Sequence, residues 1–168
     1  MEVVIRLARC DERKQLEDLQ RQASLRWEEY REALLANPDA IDLPLGQIEA
    51  GRCYVAERQR ELLGFCVVLP RTDRDADLDG LFVDPAVWQQ GIGRLLIQAA
   101  ERLAASEGAE SLYVVANPKA LGFYTACAFA VVGEEHTRFG AGLIMRKRVG
   151  SGGRREASAK RARVTQSS

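Results

Sequence analysis

Hydrophobic residues recur along the chain in two patterns, helical stripes and short apolar runs. The clearest stripe predicts a helix that begins near Ile92, with apolar side chains on one face and polar ones elsewhere, and Gly108 ends it. Apolar runs of strand length flank this helix at 76–83 and 111–115. Because a strand, a helix and a strand in succession require a parallel crossover, these segments predict one parallel pair of strands.

The other segments predict antiparallel pairs and helices around that unit. Apolar or β-branched runs predict strands at 3–7, 53–57, 62–69, 129–132 and 143–149. Helical stripes cover 12–23, 27–37 and 120–127, and 39–51 is predicted as loop. The pattern therefore predicts an α/β fold with a mixed, mostly antiparallel sheet of about six to seven strands and helices on both faces.

The carboxyl-terminal segment differs in composition from the rest of the 168 residues. It reads GSGGRREASAKRARVTQSS and has almost no large apolar residue, so burial cannot offset the entropy lost on ordering it. We expect one domain over 1–149 and a basic, disordered tail over 150–168.

Charge and cysteine usage narrow the function classes. Lys plus Arg and Asp plus Glu each total 24; five basic residues and one acid lie in the tail, so the remaining 19 and 23 give an acidic body of net charge −4. This balance favours neither nucleic acid nor a membrane as a partner. Four widely spaced cysteines and one histidine do not predict a metal site, and the absence of a leader pattern in MEVVIRLARC predicts a cytoplasmic protein with reduced thiols.

A glycine-containing segment stands between the strand at 76–83 and the amphipathic helix. It reads QQGIGR over 89–94. Glycines let the backbone approach an anion, and the unpaired N–H groups at a helix start, aided by the helix dipole, replace the solvation of phosphate oxygens. No G-K-[ST] follows and the third glycine of a dinucleotide fingerprint is missing, so this is neither a Walker loop nor a Rossmann turn. A turn that only caps the helix is the alternative.

Two motifs together resemble the GNAT superfamily of N-acetyltransferases. The segment LDGLFVDPAVWQQGIGRLLIQAAE is similar to its strand, [QR]-x-x-G-x-[GA] loop and helix, and NPKALGFYTACAF is similar to its N-x-x-A-x-x-F-Y-x-x-x-G-F segment. The resemblance follows element order from Val3 to Val149 and is specific from about Asp77 to Phe129. The sequence departs from the family at Trp88, where Gln or Arg is usual, and at Ala128, where Gly is usual and where we expect only a packing change.

The resemblance implies an acetyl-CoA site and no metal. Phe82 and Val83 would pair with the pantetheine arm as a strand does, and Asn117 would bond the pantetheine or cap the next helix. The residues it implies for cofactor binding are Leu81, Phe82, Val83, Gln89, Gln90, Gly91, Ile92, Gly93, Arg94, Asn117 and Tyr124.

The resemblance also implies direct attack of an amine on the thioester. The backbone N–H of Leu81, beside a strand bulge, would stabilise the oxyanion. Tyr124 would protonate the departing thiolate, with Phe123 taking the role of core residue beside it. Asp77 holds the strand position of a family glutamate and would be the base, with Asp79 or a water chain as alternatives.

The acceptor is predicted only as a primary amine of a small molecule or peptide. Trp27, Glu28, Tyr30 and Glu49 lie where the family builds its acceptor pocket, although Trp27 and Tyr30 also suit the core, and His136 lies between the last strands. A homodimer is a further implication of the family. The alternatives are a non-catalytic CoA-binding regulatory protein of the same fold and a nucleic-acid-associated module acting through the tail.

Overall fold

The sheet has seven strands in the computed structural model, which describes residues 2–137 and 140–149. Their order across the sheet is β1-β2-β3-β4-β5-β7-β6, with β4 and β5 parallel and the other neighbours antiparallel. The strands are β1 (Val4–Leu7), β2 (Cys53–Arg58), β3 (Glu61–Pro70), β4 (Ala76–Val83), β5 (Ser111–Ala116), β6 (Ala130–Thr137) and β7 (Gly140–Arg148). The predicted tail, 150–168, lies outside the described residues.

In the described part of the chain, five α-helices cover the two faces of the sheet. They are α1 (Arg13–Leu25), α2 (Glu28–Ala36), α3 (Leu45–Glu49), α4 (Ile92–Ser106) and α5 (Leu121–Ala126). On one face α4 and α5 bury an apolar cluster with Leu96 and Leu112 at its centre, and on the other α1 packs over Phe65. Among the described residues, no helix is both long and apolar enough to cross a membrane.

The fold class predicted from the pattern is confirmed, and the differences fall on short or polar segments. The segment 39–51 contains α3, whose buried side chain Ile48 gives no periodicity to detect. Strand β6 runs to Thr137, so His136 lies in a strand opposite Ala141 rather than in a loop. This strand forms an exposed edge of the sheet, so no alternation of apolar and polar residues marks it.

Three of the four thiols are part of the core. Cys53, Cys66 and Cys127 are buried, while Cys10 is exposed, and all four are free. Burial raises the pKa of Cys53 and of Cys66 to about 12. These thiols therefore pack as small apolar side chains at neutral pH.

Helix α5 ends in a Schellman motif that has alanine at its left-handed position. The N–H of Phe129 bonds to the carbonyl of Tyr124 at 3.0 Å, and the N–H of Ala128 bonds to the carbonyl of Thr125 at 3.0 Å. Ala128 has φ of +71°, a conformation in which glycine carries no penalty. The departure at Ala128 is therefore a backbone effect, and the expectation of a packing change is wrong.

We expect Ala128→Gly to stabilise the protein by about 1 kcal/mol, because it relieves the left-handed strain of an L-residue. Urea unfolding measures the change. The matched control is Ala126→Gly, an exposed position inside the same helix, which should destabilise by about 0.5–1 kcal/mol. If both variants stabilise the protein, or both destabilise it, the result would contradict the role of φ at Ala128.

Candidate active site

Strands β4 and β5 pair over a short length and then separate. Only Ala76 with Leu112 and Asp77 with Tyr113 are in register between them. Beyond Asp77 the edge of β4 that faces β5 continues to Val83 without that partner strand. Backbone groups on this edge are therefore available to an extended ligand inserted beside β4.

A bulge decides which backbone groups face the opening. Val67 is opposite Gly80 and Val68 is opposite Leu78, so Asp79 is the extra residue on β4. The N–H of Asp84 bonds to the carbonyl of Leu63 at 2.8 Å. The predicted bulge beside Leu81 is confirmed.

The alternation of an antiparallel ladder then fixes the direction of each residue that follows the bulge. Because Asp84 bonds to β3, Phe82 and Gly80 also bond to β3, whereas the backbone groups of Leu81 and Val83 point away from it. The backbone of Phe82 is thus committed to β3. Its ring packs with Phe65 on the α1 face of the sheet.

The turn before α4 presents unpaired amides. Gly91 is the N-cap residue with φ of +82°, and a Cβ there would meet nothing within 4 Å. The helical bonding starts with the N–H of Leu95 on the carbonyl of Gly91 at 3.2 Å. The amides of Ile92, Gly93 and Arg94 precede it and point out of the helix start, where the dipole is positive. Gln89 also has positive φ, +67°, so the turn is tight on both sides of Gln90.

The two glycines of the turn have different roles. A Cβ on Gly93 would lie 2.9 Å from the ring of Phe123, so this glycine makes room for α5 against α4. The open side of Gly91, by contrast, is where a ligand can approach. The side chain of Ile92 is buried in the core, which leaves only its amide for a ligand.

Tyr124 is buried in the cluster on the α4 face. It is 8% exposed, against 38% for Phe123, so the sequence assignment of Phe123 as the core member of this pair is wrong. Burial raises the pKa of Tyr124, and Cys127, Tyr30 and Cys66 raise it further. Cys66 is opposite Leu81 in the sheet, and the apolar cluster that contains Cys66 and Tyr124 also contacts Leu81.

The two predicted carboxylates differ in their partners. Asp77 Oδ1 accepts a hydrogen bond from Arg71 Nη1 at 2.9 Å, and the same guanidinium stacks on the ring of Tyr113 at 4.0 Å. Asp79 lies at the bulge, and its side chain reaches solvent. Desolvation by the surrounding chain and then the charge of Asp77 raise the pKa of Asp79. Sequence reasoning missed Arg71, although its position across a tight turn from Asp77 is a usable signal.

Trp88, the first departure from the family pattern, contacts the end of β4 and the joint between α1 and α2. Its indole N–H donates to the carbonyl of Val83 at 2.6 Å. Its ring lies 5.9 Å from that of Trp27, and the guanidinium of Arg26 lies over it at 5.8 Å. The joint between α1 and α2 is therefore held against the end of β4.

Polar side chains of the predicted cofactor set have partners within the protein. Asn117 Oδ1 accepts the N–H of Lys119 at 2.9 Å, so the predicted capping role is confirmed. Arg94 Nη2 bonds to the carbonyl of Ala126 at 3.3 Å. Gln90 accepts a bond from Arg58 at 3.4 Å, which brings a second cation to the turn before α4.

The predicted acceptor residues differ in burial. Trp27 and Tyr30 are half-buried and lie outside the two core clusters, while Glu28 and Glu49 are exposed. His136 is exposed on β6. Within residues 2–137 and 140–149, no group of three His, Cys, Asp or Glu side chains could hold a metal ion.

Comparisons with known proteins agree with this geometry. A sequence model of the acetyltransferase (GNAT) family matches residues 15–129, which include both motifs. No curated protein matches the chain in sequence.

Solved structures with the same fold include three N-acetyltransferases. The PaiA N-acetyltransferase of Thermoplasma acidophilum, in complex with coenzyme A, is 22% identical over 88% of this chain and 99% of its own, with a TM-score of 0.72. A GCN5-related N-acetyltransferase of Rhodopseudomonas palustris is 21% identical over 88% and 96%, with a TM-score of 0.71. An aminoglycoside 6'-N-acetyltransferase in complex with coenzyme A is 19% identical over 87% and 97%, with a TM-score of 0.66.

Proposed function

The chain belongs to the GNAT family of acetyltransferases, and on that premise we propose that it transfers the acetyl group of acetyl-CoA to a primary amine of a small molecule or a peptide. The observation that carries the proposal is the free edge of β4 beside the open glycine turn of α4. An extended arm with amide groups suits the first feature, and a pyrophosphate suits the second. The two are adjacent, as one ligand with both parts requires.

The residues that would hold acetyl-CoA follow from these two features. The backbone groups of Leu81 and Val83 would pair with the pantetheine arm. The amides of Gln89, Gln90, Gly91, Ile92, Gly93 and Arg94 would receive the pyrophosphate, and Asn117 would bond the arm from β5. Phe82 contributes only through its ring, because its backbone bonds to β3.

Two protons move in the proposed reaction. The amine nitrogen forms a bond to the acetyl carbon while the bond from carbon to sulfur breaks, and the N–H of Leu81 donates to the carbonyl oxygen as it gains charge. The amine loses a proton to a base, and the sulfur gains one from Tyr124. A tyrosine hydroxyl is protonated at neutral pH, as a donor must be, and the pKa of Tyr124 is raised further by burial.

Asp79 is the carboxylate we propose as base, ahead of Asp77. The ion pair with Arg71 occupies one of the two carboxylate oxygens of Asp77. Asp79 lies two residues after Asp77, at the bulge, and its raised pKa makes it a better proton acceptor than an ordinary aspartate. The distinction rests on the contact between Arg71 and Asp77.

The compartment and the oligomeric state stay predictions. The free thiols agree with the proposed cytoplasmic location. Light scattering checks the homodimer that the family resemblance implies.

Release of free CoA thiol tests the proposed function. The full chain is incubated with acetyl-CoA and a panel of amines, amino acids, polyamines, aminoglycosides and peptide N-termini. Thiol release that depends on an amine, with the acetylated amine found by mass spectrometry, is the expected result. Tight CoA binding with no turnover across the panel would favour the non-catalytic CoA-binding protein instead.

Gly91→Asp should weaken CoA binding strongly, because a side chain at this open position enters the ligand's approach and its charge repels the pyrophosphate. Calorimetry with CoA measures the effect. Gly91→Asn is the matched control, since asparagine has nearly the same shape, tolerates positive φ and has no charge. It should lose less affinity than Gly91→Asp, and equal affinities for the parent and the Asp variant would refute the phosphate site.

Tyr124→Phe should lower kcat by about 10²–10⁴-fold with little change in acetyl-CoA affinity, because only the proton donor is removed. The ring contacts with Phe123 and Phe129 remain. A thioester with a lower-pKa leaving thiol should rescue this variant selectively. Tyr54→Phe, in the same core cluster, is the control and should keep its turnover. Equal effects of the thioester on Tyr124→Phe and parent would leave Tyr124 as a packing residue.

Asp77→Asn should move the acid limb of the kcat/KM profile to lower pH. A base works only when deprotonated, so activity falls as pH falls through its pKa. The Asp77 charge raises the pKa of Asp79, so its removal lowers that pKa and extends activity to lower pH. Asp73→Asn is the control, because Asp73 also bonds Arg71 but lies outside β4. An unmoved limb in Asp77→Asn, or full turnover in Asp79→Asn, would exclude Asp79 as the base.

A further inference from the structure

Trp88 occupies a backbone acceptor that the ligand would also use. Val83 is one of the two residues after the bulge whose backbone groups face away from β3, and its carbonyl already accepts the indole N–H at 2.6 Å. An amide N–H of an arm that pairs with β4 at Val83 would be directed at the same oxygen. The indole is also far bulkier than a water molecule, so it takes up space along this edge.

Neighbouring side chains hold the indole in that position. The Trp27 ring and the Arg26 guanidinium both pack against it, at 5.9 Å and 5.8 Å. These contacts come from the joint between α1 and α2 and need no ligand. The bond to Val83 is thus part of a preformed arrangement.

We propose that the Trp88 indole occupies the position at Val83 that the pantetheine arm would take. Acetyl-CoA displaces the indole when it binds. This inference rests on the proposed acetyl-CoA site. A ligand that must displace a side chain binds only the fraction of protein in which that side chain has left the site. Its apparent affinity is the intrinsic affinity multiplied by that fraction. Trp88 is therefore a positioning residue that tunes cofactor affinity, and its departure from the glutamine or arginine of the family pattern has a physical effect.

The opposite assignment predicts the opposite sign. If Trp88 only replaced the family side chain as an aid to pyrophosphate binding, its truncation would weaken CoA binding. If the indole instead competes with the pantetheine arm, its truncation strengthens CoA binding. Replacement by phenylalanine removes the N–H and keeps an aromatic ring against Trp27 and Arg26.

The first experiment titrates the full chain with CoA and with adenosine 3′,5′-bisphosphate, which lacks the pantetheine arm. For Trp88→Phe we expect CoA to bind about two- to tenfold more tightly, as one hydrogen bond of ordinary net strength allows, with the nucleotide unaffected. Trp27→Phe, which keeps the bond to Val83, is the matched control and should change CoA affinity less. Circular dichroism confirms the fold of each variant.

The second experiment does not depend on the folding of Trp88→Phe. The chain has two tryptophans, so Trp27→Phe leaves Trp88 as the only indole fluorophore. CoA should shift its emission to the red as the half-buried indole leaves its carbonyl partner for water, and adenosine 3′,5′-bisphosphate should not.

The outcomes separate this inference from the proposed function. CoA binding with unchanged Trp88 emission, or weaker CoA binding by Trp88→Phe, overturns the role of Trp88 and leaves the acetyl-CoA site intact. Absence of CoA binding by the parent protein overturns the proposed function and the inference with it.

Discussion

Two residue pairs join β4 to β5, and the rest of the site depends on how short that pairing is. A parallel pair that continued to Val83 would satisfy the backbone groups of Leu81 and Val83 and leave no place for a ligand strand. The bulge at Asp79 bends β4 at the point of separation and sets the direction of every residue that follows. Helix α4 then begins beyond the same strand, so the free edge and the positive helix end adjoin.

The opening persists only if β4 and β5 are kept from closing on each other. The sheet stays open because each diverging strand is fully paired on its other side, β4 with β3 and β5 with β7. Packing of α4 and α5 on one face supports both halves through a single apolar cluster. Gly93 allows these helices to approach, because the Phe123 ring fills the space where its side chain would stand.

The sequence predicted most of this architecture in the segments where burial gives the apolar residues a regular spacing. Ala76–Val83 and the start of α4 at Ile92 follow from apolar runs and stripes, and the bulge beside Leu81 follows from the family resemblance. The segments it did not predict lack such a signal: α3 is one turn with a single buried side chain, and β6 is exposed along its length. The sequence also did not predict roles that depend on tertiary contacts, because no local pattern marks them. Nothing local states that Tyr124 rather than Phe123 turns inward, that Arg71 holds Asp77, or that Trp88 reaches back to Val83.

The distribution of thiols affects how covalent association of the chain should be interpreted. With Cys53, Cys66 and Cys127 enclosed by the core, a disulfide between two folded copies can form only through Cys10. Cys10 stands at the start of the short 3-10 turn before α1, far along the chain from the cleft residues on β4 and α4. A cross-linked dimer that appears on oxidation is therefore linked through the surfaces that carry Cys10, and it carries no information about whether copies associate through the sheet.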